Sequence, residues 1–543
     1  MLPESPMSIR IRAVALLVTL AVLHTASAEP VRIRPERELL ITNSAVVDDA
    51  RAKYPGPWSF GGLIDEMVGQ ENAGACVHAW LESWAVAQNV NGFHVPPRPG
   101  ILTKLVEPWQ KKDGFDPKSG KQWIPKLENA PFRLIGIVNR MDLCAAQLAD
   151  VVGHTREQWK TAGKQPLFEA LLDRATSSPG GGTRKITVPA LAVLNLAAFE
   201  QKFRNEPRFP NNRPPSRSFG PYGFRAPNDE LQFGEGRLIF GAVDEKGQPL
   251  PGDWTLIFEY KLQGEGEPKK KPASDPSSNS KELPKDDLER ATHRRTLREW
   301  TSLWHALGGL EPGTEAYALK LEKITRIFTH RIAPNDEIPI GQVRSSEAAF
   351  GAGREFRQFR LVQGKLALEP LAQTPAPEFA KKDGPETRVL AEFLREGSAL
   401  IRSGIHVVPQ SLKLRNEVIP VLGGNAIIPA DKPDFRWDLH NGVAGPVRRI
   451  FSLNTCTGCH AGETACTGLH VSPRAEGGAA VLSSFLRMDG IPLHTYDKVS
   501  AQKVAFNEMG ERAEIFAALM DRTDRKRMDD LRNVLRERIG RSH

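Results

Sequence analysis

The chain has 543 residues, 40% of them apolar and 25% charged, an ordinary globular composition that excludes global disorder and leaves room for two or three domains with substantial buried cores. Its formal charge of +8 is a mild excess for this length. Basic residues are scattered among acidic ones without a concentrated aromatic-and-basic stripe, so nucleic acid is not an expected partner.

At the N-terminus, Arg10 and Arg12 precede an apolar run from Ala13 to Leu23, and Ala26-Ser27-Ala28 supplies the small residues of a cleavage site. Residues 1–28 therefore read as a secretory signal, and Met7 is an alternative start. The run is about half the ~20 residues that span a bilayer, and no later segment is apolar for long enough, so no membrane span is expected in the mature chain. The protein is expected in the periplasm or outside the cell.

Residues 29–430 read as an α+β body with a mixed or antiparallel sheet. Between Ser59 and Asn89 the pattern fits two helices, with Val77, Trp80, Leu81 and Trp84 on the buried side of the second. "FRLIGIVNRMDL" (132–143) is apolar on nearly every position through Val138 and suits a central, doubly covered strand. Gly236–Val243 and Asp253–Leu262 form a predicted hairpin, and a second turns at Gln363-Gly364. Arg204–Ala226 is a proline- and arginine-rich loop, and residues 264–287 hold too few apolar side chains to fold, giving a disordered insertion. Helical spacing returns at Leu297, Trp300, Leu303, Trp304 and Leu307, at Tyr317, Leu321, Ile324 and Phe328, and from Pro385 to Ser403. A boundary is placed near Pro429–Pro433, leaving 431–543 as a small, mainly α-helical C-terminal domain that ends in a basic amphipathic stretch, Arg522–Arg541.

That last segment carries "SLNTCTGCHAGETACTGLHVSPR" (452–474), which holds three of the five cysteines, Cys456, Cys459 and Cys466, together with His460 and His470. Through Cys456, Thr457, Gly458, Cys459 and His460 the chain resembles the c-type cytochromes. The wider phrase is also similar to secreted bacterial families without an assigned activity. The resemblance to cytochromes implies one haem c, with Cys456 and Cys459 as thioether attachments and His460 as proximal iron ligand. It also implies single-electron transfer with a redox partner protein, the large body binding that partner or a substrate. Met488 is the first choice for the distal ligand, and His470, His494 and Met509 are its rivals.

Two other readings of the cluster stay open. Cys456, Cys459, Cys466 and His470 give a Cys-x2-Cys-x6-Cys-x3-His array with four ligands for structural zinc, the body then being a binding module. A Cys456–Cys459 disulfide is the third, and a Cys76–Cys144 disulfide is a separate expectation. No nucleophile elbow, zincin helix, P-loop or dinucleotide-binding glycine motif is present, so no catalytic residue is assigned. Asp142 and Glu259 are read as structural or solvated carboxylates.

Overall fold

The computed structural model describes residues 31–141, 160–161, 231–264, 292–332, 338–348, 350–351, 353–381, 384–396, 401, 408–414, 417–437, 443–497 and 501–520. The signal segment, Asp142, Cys144, the 204–226 loop, residues 265–287 of the insertion and the 522–541 stretch lie outside them.

One antiparallel sheet organises the described residues. Its strands are β1 (Leu40–Ile41), β4 (Phe132–Met141), β5 (Leu231–Ala242), β6 (Trp254–Gly264), β7 (Ile340–Glu347), β8 (Gly353–Val362) and β12 (Asn425–Pro429), in that spatial order, with β9 (Lys365–Glu369) paired to β8. Separate hairpins are formed by β2 (Gln88–Val90) with β3 (Phe93–Val95), by β10 (Ser411–Leu414) with β11 (Glu417–Pro420), and by β13 (Leu493–Asp497) with β14 (Gln502–Phe506). The fold is α+β. The two hairpins expected from the sequence, β5–β6 and β8–β9, are present, and Gln363 (φ 49°) and Gly364 (φ 73°) supply the left-handed turn of the second.

Alternation along each strand divides the sheet into two unlike faces. One face is apolar: Ile137, Leu238, Phe258, Val343 and Phe359 stand opposite one another across β4 to β8. Helices α1 (Phe60–Val68) and α2 (Gln70–Ala85) cover it, with Phe60 4.5 Å from Phe132 and Trp80 and Trp84 packed on Trp254 and Phe359. Helices α3 (Leu297–His305) and α4 (Glu315–Thr329) close the far end, where Phe328 meets Tyr260 and fills the space beside Gly236. A side chain on Gly236 would lie 2.5 Å from the Phe328 ring, which is why the strand carries none there.

The other face carries Glu235, Arg237, Glu259, Gln342 and Arg344, and the C-terminal segment packs over it. That segment comprises α6 (Gly445–Leu453), the single turn α7 (Cys456–Cys459), the β13–β14 hairpin and α8 (Glu508–Met520), while α5 (Pro385–Glu396) of the body packs Leu390 and Leu394 with Val447 and Phe451 of α6. Among the described residues beyond 431, helices thus alternate with a hairpin. Their apolar side chains, including Leu453, Val471, Phe485, Phe506, Met509 and Phe516, run into the same buried cluster as Leu238, Phe258 and Trp300 of the body. No helix of the described residues is long and apolar enough to cross a membrane.

Candidate metal centre

The segment from Ser452 to His470 is held from several sides. Thr455 caps α7: its hydroxyl accepts from Gly458 N–H at 3.0 Å and donates to Ser452 O at 2.7 Å. Trp437 Nε1 donates to the hydroxyls of Thr455 (2.9 Å) and Thr457 (3.1 Å). A Cβ on Gly458 would stand 2.1 Å from Ser452 O, so only glycine fits at the middle of this turn. Beyond it, Arg448, 1% exposed, binds Glu463 through Nη1 and through Nη2 at 3.3 Å, and Asp497 at 3.0 Å, fixing the loop between His460 and Cys466. Arg474 fastens the downstream end, with both Nη atoms 2.8 Å from the Asp48 carboxylate and a third bond to Leu134 O.

Within this frame the donor atoms of His460, Cys466 and His470 all lie within 4.8 Å of one another. His460 Nδ1 is 2.8 Å from Gly468 O, and His470 Nδ1 is 2.8 Å from Ser483 Oγ. A carbonyl only accepts, so the neutral His460 ring carries its proton on Nδ1 and presents Nε2 as a lone pair. Burial keeps it neutral by pushing its pKa down to about 4. His470 is driven further down by burial and by the neighbouring His460 and Arg512. Each imidazole is oriented through its outer nitrogen, as metal-ligating histidines are.

Cys459 stands beside this group rather than in it: its Sγ is 3.3 Å from His470 Nε2, but among the described residues only His460, Cys466 and His470 bring their donor atoms within 4.8 Å of one another. Sulfur and nitrogen bound to one tetrahedral ion at roughly 2.3 and 2.0 Å stand roughly 3.5 Å apart. Burial raises the thiol pKa of Cys459, Cys466 and Cys456, most strongly at Cys459, where Glu508 and the other two thiols add to it. Without a cation these thiols hold their protons, and a coordinated divalent ion supplies the charge that removes them.

Cys456 points elsewhere. It packs with Phe356, Leu371, Ala426, Ile428 and Ala461, apart from the cluster that contains Cys459. The array Cys456, Cys459, Cys466, His470 read from spacing is therefore changed by the fold: His460 joins Cys466 and His470 in the donor group, Cys459 touches it only through His470, and Cys456 is turned into an apolar nest against β8 and β12. The proposed distal residues are dispersed. His494 is exposed on β13, Met509 is fully buried in the main core on α8, and Met488 is half-buried against it. Cys456 and Cys459 are free thiols, and Cys76 is a buried free thiol on α2.

Spacing alone missed the charged row below the motif, although the signal was present: Glu235 and Arg237, Glu259 and Lys261, and Gln342 and Arg344 repeat with a period of two in three successive strands. Glu259, read as solvated or structural, is 1% exposed. No family model, no curated protein and no solved structure matches the chain.

Proposed function

We propose that the chain is a metalloprotein whose C-terminal segment holds one transition-metal ion through His460, Cys466 and His470, with Cys459 as fourth ligand. The convergence of three donors within 4.8 Å, on imidazoles already oriented by Gly468 O and Ser483, carries this reading. Two imidazoles and a thiolate suit zinc, and Cys459 Sγ, 3.3 Å from His470 Nε2, is at hand to move into the fourth position and close the site as a structural rather than a catalytic one. The ion then fastens the cover of the sheet, and the body is the binding module. The sequence reading of residues 1–28 makes this an exported protein.

The second reading, a covalently attached haem passing single electrons to a redox partner, is favoured by one observation: Cys456 and Cys459 share the turn α7 and His460 caps it. The donor geometry fits it less well. Haem leaves two axial positions on opposite sides of a flat ring. A third donor within 4.8 Å of both would fall inside the ring's footprint.

The test is the metal and haem content of protein produced with a haem-attachment system. The ion reading expects a colourless product with stoichiometric metal that survives Cys456→Ser and is lost in His470→Ala. Haem that stays on the denatured polypeptide and disappears in Cys456→Ser overturns it in favour of the second.

A further inference from the structure

The face of the sheet beneath α7 is built unlike the other. Across β4 to β7, Val138, Arg237, Glu259 and Gln342 stand directly opposite one another, with Arg140 opposite Glu235 and Arg344 opposite Ile257 in the flanking rows. The Glu259 side chain is 1% exposed, and those of Glu235, Arg237 and Arg344 are 10%, 14% and 17% exposed. Arg237 is well neutralised: its Nε donates to Glu235 Oε2 at 2.9 Å, its Nη2 reaches the same oxygen, and Nη2 stands 3.4 Å from Glu259 Oε1. Gln342 Nε2 donates to Glu259 Oε2.

Two atoms of this row are left over. Glu259 Oε1 is buried without a hydrogen bond, and so is Nε of Arg344, whose nearest carboxylate oxygen is Glu259 Oε2 at 3.7 Å. Arg237 sits between two carboxylates and Arg344 beside only one, so Arg344 is the guanidinium with unused donors. Buried ion pairs give little net stability, and apolar side chains of similar volume serve as well or better. The same strands show this on their other face, with Leu238, Phe258 and Val343. The ion-pair contacts at 3.4 and 3.7 Å return part of the desolvation cost, but neither Glu259 Oε1 nor Arg344 Nε gains a hydrogen bond from them, so a stability role leaves that part of the row unexplained. The row also lies close under the metal segment, since the charge of Arg344 is felt at both Cys456 and His460.

We propose that this row is a binding subsite for a small organic carboxylate, with the Arg344 guanidinium receiving the carboxylate and Glu259 Oε1 accepting a hydrogen bond from a hydroxyl or N–H on the same molecule. The planar fork of arginine matches two carboxylate oxygens, and a charge-assisted pair in this largely buried setting supplies the affinity. The subsite stands on the sheet alone, and only its adjacency to a metal ion rests on the function proposed above.

The probe is succinate, titrated into the full-length protein by calorimetry and by its effect on thermal stability, with metal content measured on the same samples. Saturable binding is expected, with a rise in the unfolding temperature. Arg344→Gln weakens it at least about tenfold, and Arg344→Lys, which keeps the charge and the fold but loses the fork, gives an intermediate loss. Succinate has no hydroxyl or N–H to offer Glu259 Oε1, so Glu259→Gln, which removes the carboxylate that competes for Arg344, tightens succinate binding severalfold, whereas a merely structural role for Glu259 predicts weakening. Absence of saturable binding in the wild type, unchanged affinity in both Arg344 variants, or weaker binding in Glu259→Gln overturns the subsite. Succinate binding that persists in metal-free samples upholds it and counts only against the metal centre.

Discussion

Replacing Arg448 by methionine probes how the frame supports the candidate centre. The side chain is 1% exposed and lies between Glu463 and Asp497, which are 2% and 1% exposed; it also donates to Trp437 O at 3.3 Å. Methionine keeps most of the volume and removes the charge, leaving two carboxylates buried with no cation between them. Breaking a buried pair in this way costs about 3–5 kcal/mol, because the charge left behind keeps its desolvation penalty. Glu463 belongs to the loop that joins His460 to Cys466, so the loss should reach the donors: a support one step behind the ligands is worth about 10- to 100-fold in metal affinity. Urea denaturation at neutral pH measures the first quantity and metal retention against a competing chelator the second. Combining Arg448→Met with Glu463→Gln and Asp497→Asn should restore most of the stability, since no uncompensated charge then remains. A single-variant loss below about 1 kcal/mol would refute the view that the triad is a desolvated ionic lock. A large stability loss with unchanged metal retention would break the link between the triad and the ligand loop.

Two further outcomes follow from named contacts. Burial alone would raise the Asp48 carboxyl, but the bonds from Arg474 and Gly477 N–H outweigh it and hold the group below its ordinary range. A depressed carboxyl contributes stability that is present above its unfolded value of about 3.9 and is lost as pH falls through the folded value, so the wild type should weaken on acidification where Asp48→Asn stays flatter. Thermal unfolding of both proteins between about pH 6 and 3 checks this, and parallel curves would contradict it. At Gly458, alanine would place its Cβ 2.1 Å from Ser452 O, costing roughly 3 kcal/mol or more, whereas Gly309→Ala, with open space around the added methyl, should be near neutral in the same denaturation assay.

The body was largely legible because its signals are local. An unbroken apolar run marked β4, β-branched and aromatic residues around a turn marked β5 and β6, and the 3.6-residue recurrence of Trp and Leu marked α2, α3 and α4. What the helical pattern around 447–453 and 508–519 could not convey is that the segment between them forms a hairpin. Nor could it convey that Phe485, Phe506 and Met509 bury themselves in the core of the body. Those contacts join residues hundreds of positions apart, and periodicity reports only which face of an element is apolar, not what covers it. The charged face went unread for a related reason. Glu259 lies between Phe258 and Tyr260 on a strand whose apolar alternation is complete by itself, so its carboxylate looks solvated until the register with Arg237 and Gln342 places it inside.

The cysteine motif shows the same limit at shorter range. Cys456 and Cys459 lie three apart on one turn, so spacing alone gives them a common direction and a common fate. The fold separates them because α7 is wedged between two different surfaces. Thr374 Oγ1 takes the Cys456 N–H at 2.9 Å, and Phe356 and Ile428 close over the first thiol. The second faces His470, which Ser483 has already turned toward it. His460 follows Cys459 to that side, 4.5 Å from His470 between ring centres, with Cys466 brought in by its N–H bond to Ala461 O. Three donors gather at one end of the turn with Cys459 beside His470, and the Cys456 thiol remains at the other. For that reason Cys456→Ser is the substitution that separates an ion from a tethered haem: it leaves the first site whole and removes half of the second's covalent attachment.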